Sequence, residues 1–342
     1  MKEQKALQTE YLKCDEIGLN KAADIIKNGG LVAMPTETVY GLAADATNEK
    51  AVKEIFKVKG RPQDNPLIVH IASLDMWKDL VEEIPKDAQK LADAFWPGPL
   101  TIILKKKDIV PSVTTANMPT VAVRFPSHKA AQEIIKRSNK PIAAPSANLS
   151  GLPSPTNVSH CKKDLDKKIP LVLDGGECSV GIESTVISLV DEPVIYRPGE
   201  ISPSQIEKVL GKRIRISKAV TNPLENNQKV MSPGMKYKHY SPKANVTLLD
   251  GDTEKYINFL NQNKGATALC FEEEKDKISN PYIVYGKKDD ALSLEQGLFR
   301  ALRELDDKGV KEAFIHLPKT TDEFLGVYNR MLRAAAWKVI KL

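Results

Sequence analysis

The chain lacks most of the signatures by which 342 residues announce a chemistry. It has four cysteines, Cys14, Cys161, Cys178 and Cys270, none in a CxxC pair and none beside a histidine at metal-ligand spacing. That argues against structural zinc and a disulfide framework, and predicts reduced, mostly buried thiols. No apolar run approaches the ~20 residues of a membrane span. The charged N-terminus, "MKEQKALQTEYLK", has no apolar centre of the kind a signal peptide needs. A cytoplasmic protein with no membrane partner is therefore expected. His128, His160, His239 and His316 show no Ser/His/Asp or metal arrangement.

What is present is an alternation of short apolar runs with helix-like segments. Apolar residues make up 42% and charged residues 27%, ordinary for a folded globular chain. Strands are expected at "LVAMP" (31–35), "LIVHIA" (67–72), "LTIIL" (100–104), "TVAVRF" (120–125), "PIAAPS" (141–146), "PLVLDGG" (170–176), "STVISLV" (184–190), "PVIYRPG" (193–199) and "RIRIS" (213–217). Helical spacing fills 21–30, 48–60, 75–95, 128–138 and 203–210. This reads as an α/β or α+β unit on a large mixed sheet. At 218–243 the pattern breaks into Asn, Pro, Lys and Ser, as an interdomain linker would. Beyond it, strands at 245–250, 266–271, 282–286 and 312–318 and helices at 292–308 and 321–338 predict a smaller three-layer α/β domain with a parallel sheet, without GxGxxG or Walker sequence. The expected division is 1–217, 218–243 and 244–342.

Five stretches of the first unit place glycines, small hydroxyl residues and cations at strand ends: "PTETVYGLAAD", "KGRPQDNPLIVH", "PTVAVRFP", "APSANLSGLPSPT" and "GGECSVGIESTVISL". Ligands of open α/β sheets bind there, and such residues let backbone N–H groups approach a phosphate. Lys59 and Arg61 stand at a helix end, where they either offset the helix dipole or clamp phosphate oxygens. His70, inside an apolar strand, fits a satisfied core histidine or a ligand-facing one. Arg124 closes a β run and needs an anion, supplied by a ligand carboxylate or by an internal Asp or Glu. The net charge of +6 helps any polyanion approach; the lysine runs at 104–108 and 160–168 read as solvated surface.

Taken in order, "PTETVYGL", "KGRPQDNPLIVH", "FWPGPLTIIL", "VAVRFP", "PSANLSGLPSPT", "ESTVISL" and "RPG" resemble the YrdC-type threonylcarbamoyl-AMP synthases. Lys59, Arg61, Ser146 and Asn148 match that family's Lys-x-Arg and Ser-x-Asn hallmark. "SPGMKYKHYSP" (232–242) and the second unit are similar to the long, two-domain form. The resemblance implies a YrdC-like catalytic domain on a large twisted mixed sheet, plus a smaller Rossmann-like three-layer α/β C-terminal domain. It implies that L-threonine and bicarbonate (or CO2) form a carbamate, which attacks the α-phosphorus of ATP, accompanied by Mg2+, and expels pyrophosphate. Partner proteins then transfer the threonylcarbamoyl group to an adenosine beside a tRNA anticodon.

The same resemblance implies residue roles. Thr38, His70, Arg124, Ala144 and Ser184 would line the threonine pocket, with Arg124 on the threonine carboxylate. Arg61, Asn65, Thr120, Ser146, Asn148, Ser154 and Arg197 would hold ATP. Tyr240 would fold over the nucleotide, and Lys59 with Arg61 would serve catalysis by positive potential near the phosphates. No metal ligand set is expected in the protein. The alternative is an RNA-binding module, for tRNA or rRNA, on a basic concave face. Carbamoyl-handling hydrogenase maturation proteins, a third option, carry zinc-finger cysteines and an acylphosphatase-like module that are not visible here.

Overall fold

The computed structural model describes residues 7–222 and 239–342. The expected linker therefore lies, over 223–238, outside the described residues. Sixteen strands are described: β1 (Glu10–Lys13), β2 (Val32–Met34), β3 (Gly41–Asp45), β4 (Ile68–His70), β5 (Leu100–Lys105), β6 (Thr120–Arg124), β7 (Ile142–Ala143), β8 (Leu171–Asp174), β9 (Thr185–Ser188), β10 (Val194–Arg197), β11 (Arg215–Ile216), β12 (Asn245–Asp250), β13 (Thr267–Phe271), β14 (Tyr282–Gly286), β15 (Glu312–His316) and β16 (Val339–Lys341). The first eleven form one mixed sheet in the order β1-β8-β2-β3-β7-β4-β6-β5-β9-β10-β11. The last five form a parallel sheet, β14-β13-β15-β12-β16.

Strand periodicity sorts side chains onto two faces, and each sheet carries helices on both. Val32 and Met34 pack in one cluster with the helices Glu16–Lys27 and Lys129–Ser138, while Ala33 between them packs in the other with Val52 and Ile55 of the helix Glu49–Lys59. In the second sheet Leu249, Ala268 and Phe314 meet the helix Thr253–Gln262. Leu248, Leu269 and Ile315 face the helices Ala291–Asp307 and Leu325–Ala334. The second unit is thus three layers, as its alternation predicted.

Some expectations are corrected. The helical pattern at 75–95 is two helices, Leu74–Leu80 and Lys86–Phe95, because Val81 leaves the helix to bridge Lys106 and Pro85 starts the next one. The lysine-rich stretch at 160–168 is not only solvated surface: Val158–Leu165 is a helix that buries His160, Cys161 and Asp164. "PTETVYGLAAD" contains a strand absent from the expected set, the buried β3 in its second half. The polar edge strand β1, pairing with β8, has no apolar run to announce it. All four thiols are free; Cys14 is half-buried and the others are buried.

Register brings the chemistry-bearing residues to one place. His70 at the end of β4 is the direct partner of Arg124 at the end of β6 and of Ile142 in β7. Arg124 also lies opposite Thr101 in β5, whose neighbour Leu100 pairs with Thr185 of β9. Gly41 at the start of β3 bridges Ser146 beyond β7. One end of the sheet centre therefore carries β3, β4, β5, β6, β7 and β9 together.

Candidate active site

The Lys59–Arg61 stretch owes its shape to the end of the helix Glu49–Lys59. Asn48 caps its start by accepting from the N–H groups of Lys50 and Ala51. Gly60 takes the left-handed conformation (φ 60°), and the N–H groups of Gly60 and Arg61 donate to the carbonyls of Lys57 and Phe56. This double bond pattern is the Schellman motif, for which glycine carries no steric penalty. It turns Lys59 inward. The Lys59 ammonium donates to the carbonyls of Ser146 and Asn148, while the Ser150 N–H returns a bond to the Lys59 carbonyl at 2.9 Å. The Lys-x-Arg turn and the Ser-x-Asn loop are thereby stapled. Burial, reinforced by Arg61, pushes Lys59 down to about 7. A neutral amine keeps two hydrogens, enough for both carbonyls.

Above this staple a cavity opens, with about 610 Å³ of empty space when its open mouth is included. Nine of the fourteen residues expected at the site line it: Thr38, Arg61, His70, Arg124, Ala144, Ser146, Ser184, Arg197 and Tyr240. The other five do not. Lys59 lies behind the wall as described. Thr120 lines a neighbouring hollow with Pro66, Met118 and Ala122. Asn65 is buried and accepts from Arg61 through its carbonyl at 3.2 Å. Asn148 donates to the carbonyls of Leu149 and Leu152, and Ser154 donates to Glu183 Oε1. The side-chain oxygens of Asn65 and Asn148 are buried without a partner, which marks them as acceptors available to a ligand or to water.

The β4–β6 end of the cavity is built around one buried ion pair. Arg124 is 3% exposed, its Nη2 2.6 Å from Glu37 Oε1, its Nη1 donating to Thr38 Oγ1 at 2.8 Å and its Nε to the Gly98 carbonyl at 3.3 Å. The anion it needs is thus present in the fold as Glu37. Burial acts to raise the Glu37 carboxyl, but Arg124 beside it wins and holds it below the usual range. His70 is pushed down to about 3, first by burial and then by Arg124, so its imidazole is neutral at physiological pH. Its Nδ1 is buried without a partner.

The opposite end is more cationic. Arg61 stacks over Phe56 at 5.8 Å and reaches the cavity. Arg197, 6% exposed, donates from Nε to the Ser184 carbonyl (3.0 Å) and from Nη2 to Ser184 Oγ (3.1 Å). Ser184 Oγ also shares a hydrogen bond at 2.8 Å with Thr101, the strand partner of Arg124, so it links the Arg197 side to the Arg124 side. Tyr240 closes the cavity with φ at 61°, a rare conformation for a bulky residue that persists only where its surroundings hold it. Phe299, at 5.1 Å, and Arg330, at 5.8 Å, both from the second unit, supply that hold.

Sequence reasoning missed Thr36, Glu183 and His239, which also line the cavity, and Glu37, which pairs Arg124. Glu183 opens the quoted "ESTVISL", but its partner Arg330 lies 147 residues away, so no local signal marked it.

An eleven-stranded mixed sheet with a cationic cavity at the Lys-x-Arg and Ser-x-Asn turns defines a YrdC-type protein. A family model described as "Telomere recombination" (Sua5, YciO and YrdC proteins) matches residues 24–199, and one described as "Threonylcarbamoyl-AMP synthase, C-terminal domain" matches 201–336. The threonylcarbamoyl-AMP synthase of Pyrococcus abyssi is 44% identical over 96% of this chain and 97% of its own length. That of Bacillus subtilis is 41% identical over 97% of each. The solved structure of P. abyssi Sua5 complexed with L-threonine superposes with a TM-score of 0.88 at 41% identity, covering 98% of this chain and 100% of that one. The chain belongs to the threonylcarbamoyl-AMP synthase family, enzymes of the nucleotidyltransferase type, in its two-domain form. Among the described residues no helix is long and apolar enough to cross a membrane.

Proposed function

We propose that the protein makes L-threonylcarbamoyl-AMP from L-threonine, bicarbonate and ATP. The observation that carries this reading is the continuity of two unlike ends in one cavity: His70, Thr38 and Arg124 at one, Arg61, Ser146 and Arg197 at the other, with Ser184 between. The threonine α-amine condenses with bicarbonate, losing water, to give the carbamate. A carbamate oxygen then bonds to the α-phosphorus of ATP as the bond to the β-phosphate bridging oxygen breaks, and pyrophosphate leaves.

Threonine sits against His70, Thr38, Ser184 and the Ala144 backbone, with its carboxylate on the free N–H groups of Arg124. That the P. abyssi relative was solved with L-threonine supports threonine as a substrate. Arg61, Asn65, Thr120, Ser146, Asn148, Ser154, Arg197 and Tyr240 serve ATP. Attack on phosphorus asks little covalent participation of the protein, so orientation and charge neutralisation supply most of the effect. Lys59 contributes by fixing the Ser-x-Asn loop rather than by contact.

Mg2+ is read as cargo of ATP. Among the described residues no cluster could cage a metal, and Glu183 in the cavity wall and Glu37 behind it are both paired with arginines. No step is routed through the ion. The product is a mixed acyl-phosphate anhydride, which a group-transfer reaction must consume. Transfer to a tRNA adenosine by partner proteins in the cytoplasm is the reading that the resemblance supplies. Residues 1–217 are proposed as the catalytic unit and 244–342 as the second, joined by 218–243. An RNA-binding face calls for exposed cations, whereas Arg124 and Arg197 are buried. The deciding assay is pyrophosphate release from ATP, Mg2+ and bicarbonate: it is expected only with L-threonine present, and threonine-independent release, or none, overturns the proposal.

A further inference from the structure

We propose that Arg330, contributed by the second unit, is a positioning residue for the nucleotide end of the cavity, acting through Glu183. The proposal rests on the reading above only in taking the Arg197 side as the nucleotide end.

Arg330 lies in the helix Leu325–Ala334 and has no exposed surface. Its guanidinium grips both chain segments that flank Arg197. Nε donates to Glu183 Oε2 at 2.8 Å and Nη2 to the Glu183 carbonyl at 3.1 Å. Nη1 donates to the carbonyl of Pro198, the residue after Arg197, at 2.7 Å. The other carboxylate oxygen of Glu183 accepts from Ser154 Oγ, and Ser184, next in sequence, is the partner of Arg197. One side chain of the second unit thereby fixes Glu183, Ser154, Ser184 and Arg197 relative to one another. Backbone contact reinforces this. A Cβ on Gly326, one turn before Arg330, would stand 2.8 Å from Ile182 and 3.2 Å from the Gly199 backbone, so the helix lies directly on these two segments.

A second buried ion pair between the units, Arg303–Asp164 at 2.8 Å, provides a contrast. Neither of its members lines the cavity, whereas Glu183 does. Docking alone therefore does not require an arginine at 330. The electrostatics favour the same role. Burial acts to raise the Glu183 carboxyl, and Arg330 is the foremost influence holding it down, ahead of Arg197 and Ser154. Without Arg330, Glu183 protonates more readily. A protonated Glu183 no longer carries the negative charge that balances Arg197 and strengthens the bond from Ser154.

The test measures binding of α,β-methylene ATP, which cannot be cleaved at the α-phosphorus, by calorimetry across pH for wild type, R330Q, R330K, E183Q and the double variant R330Q/E183Q. R330Q is expected to weaken nucleotide binding by roughly 10- to 100-fold, the range a small misplacement of site groups produces, and to move the acid limb of binding to higher pH. R330K should recover part of the loss. The double variant should be no weaker than either single one, because the two residues act as a unit. L-Threonine affinity should fall less than nucleotide affinity, because only Ser184 of the threonine pocket belongs to this network. Leu269→Ala, in the core of the second unit, should lower the unfolding temperature without moving nucleotide affinity. Wild-type nucleotide affinity and pH profile in R330Q, or additive losses in the double variant, overturn the proposal. Should R330Q not fold, R330K decides alone: full wild-type affinity and profile there also overturn it. Wild type that binds the nucleotide but releases no pyrophosphate overturns the synthase reading and leaves Arg330 to be judged on binding; wild type that binds no nucleotide overturns both.

Discussion

Arg124 and Glu37 are buried against each other, 2.6 Å apart, where Arg124 ends β6 beside the cavity. Under the proposed function a threonine carboxylate would meet an arginine whose charge is already balanced, and would bind through the N–H groups that Glu37, Thr38 and Gly98 leave over. This separates two jobs of one residue. Arg124→Gln and Glu37→Gln should each lower stability by about 3–5 kcal/mol, as breaking one side of a buried pair does. The double variant should lose clearly less than the sum. Denaturant unfolding measures both, and strict additivity would mean that the pair is not coupled.

Kinetics should divide the arginines. Arg61→Ala is expected to cut kcat/KM for ATP by roughly 10²–10³, the loss typical of a charge-stabilising donor, with little change in the threonine requirement. Arg124→Lys, which keeps the charge but not the fork, should instead raise KM for threonine by about tenfold. Pyrophosphate release with each substrate varied in turn reads both. The assignment of ends fails if the two variants shift the same substrate's KM.

Lys59→Met tests a staple against a phosphate contact. Losing two hydrogen bonds is offset by no longer burying an amine, so stability should change by less than about 2 kcal/mol. The loop it pins should loosen: faster amide exchange at Ala147–Ser150, and KM for ATP raised by roughly tenfold. Unchanged exchange with a fall in kcat alone would assign Lys59 to the chemistry instead.

The neutral His70 makes a pH prediction with a definite sign. Its ordinary value is 6.5 and the fold lowers it to about 3. Between those values the unfolded chain binds more protons, so this contribution to stability is complete above 6.5 and declines as pH falls toward 3. Its slope is at most about 1.4 kcal/mol per pH unit for one proton. His70→Gln should therefore show a shallower loss of stability than wild type between pH 6.5 and 4 in urea titrations. Parallel curves would mean that His70 titrates normally.

What was legible in the sequence follows range of interaction. The helix Glu49–Lys59, with Asn48 before it and Gly60 after it, is written in its own letters. So are the buried runs of β5 and β6 and the parallel alternation of β12 to β16. The ordered turns "PTETVYGL" and "PSANLSGLPSPT" pointed to the cavity because small and hydroxyl residues at strand ends have few structural reasons to recur together. What stayed hidden is pairing across the chain. Nothing near Arg124 says that Glu37 faces it, and nothing near Glu183 names Arg330. The inward turn of Lys59 left no mark because its acceptors are carbonyls, which every residue has. The helix Val158–Leu165 was obscured because its lysines advertise solvent while His160, Cys161 and Asp164 turn inward.

A methyl group added at Gly326 would stand 2.8 Å from the Ile182 side chain and 3.2 Å from the Gly199 backbone. The second unit can acquire a side chain there only if the first gives way. A C-terminal fragment of one homologue grafted onto the first unit of another would meet this constraint before any chemistry was tested. The second unit is thus heritable together with its glycine, matched to the first by an absence.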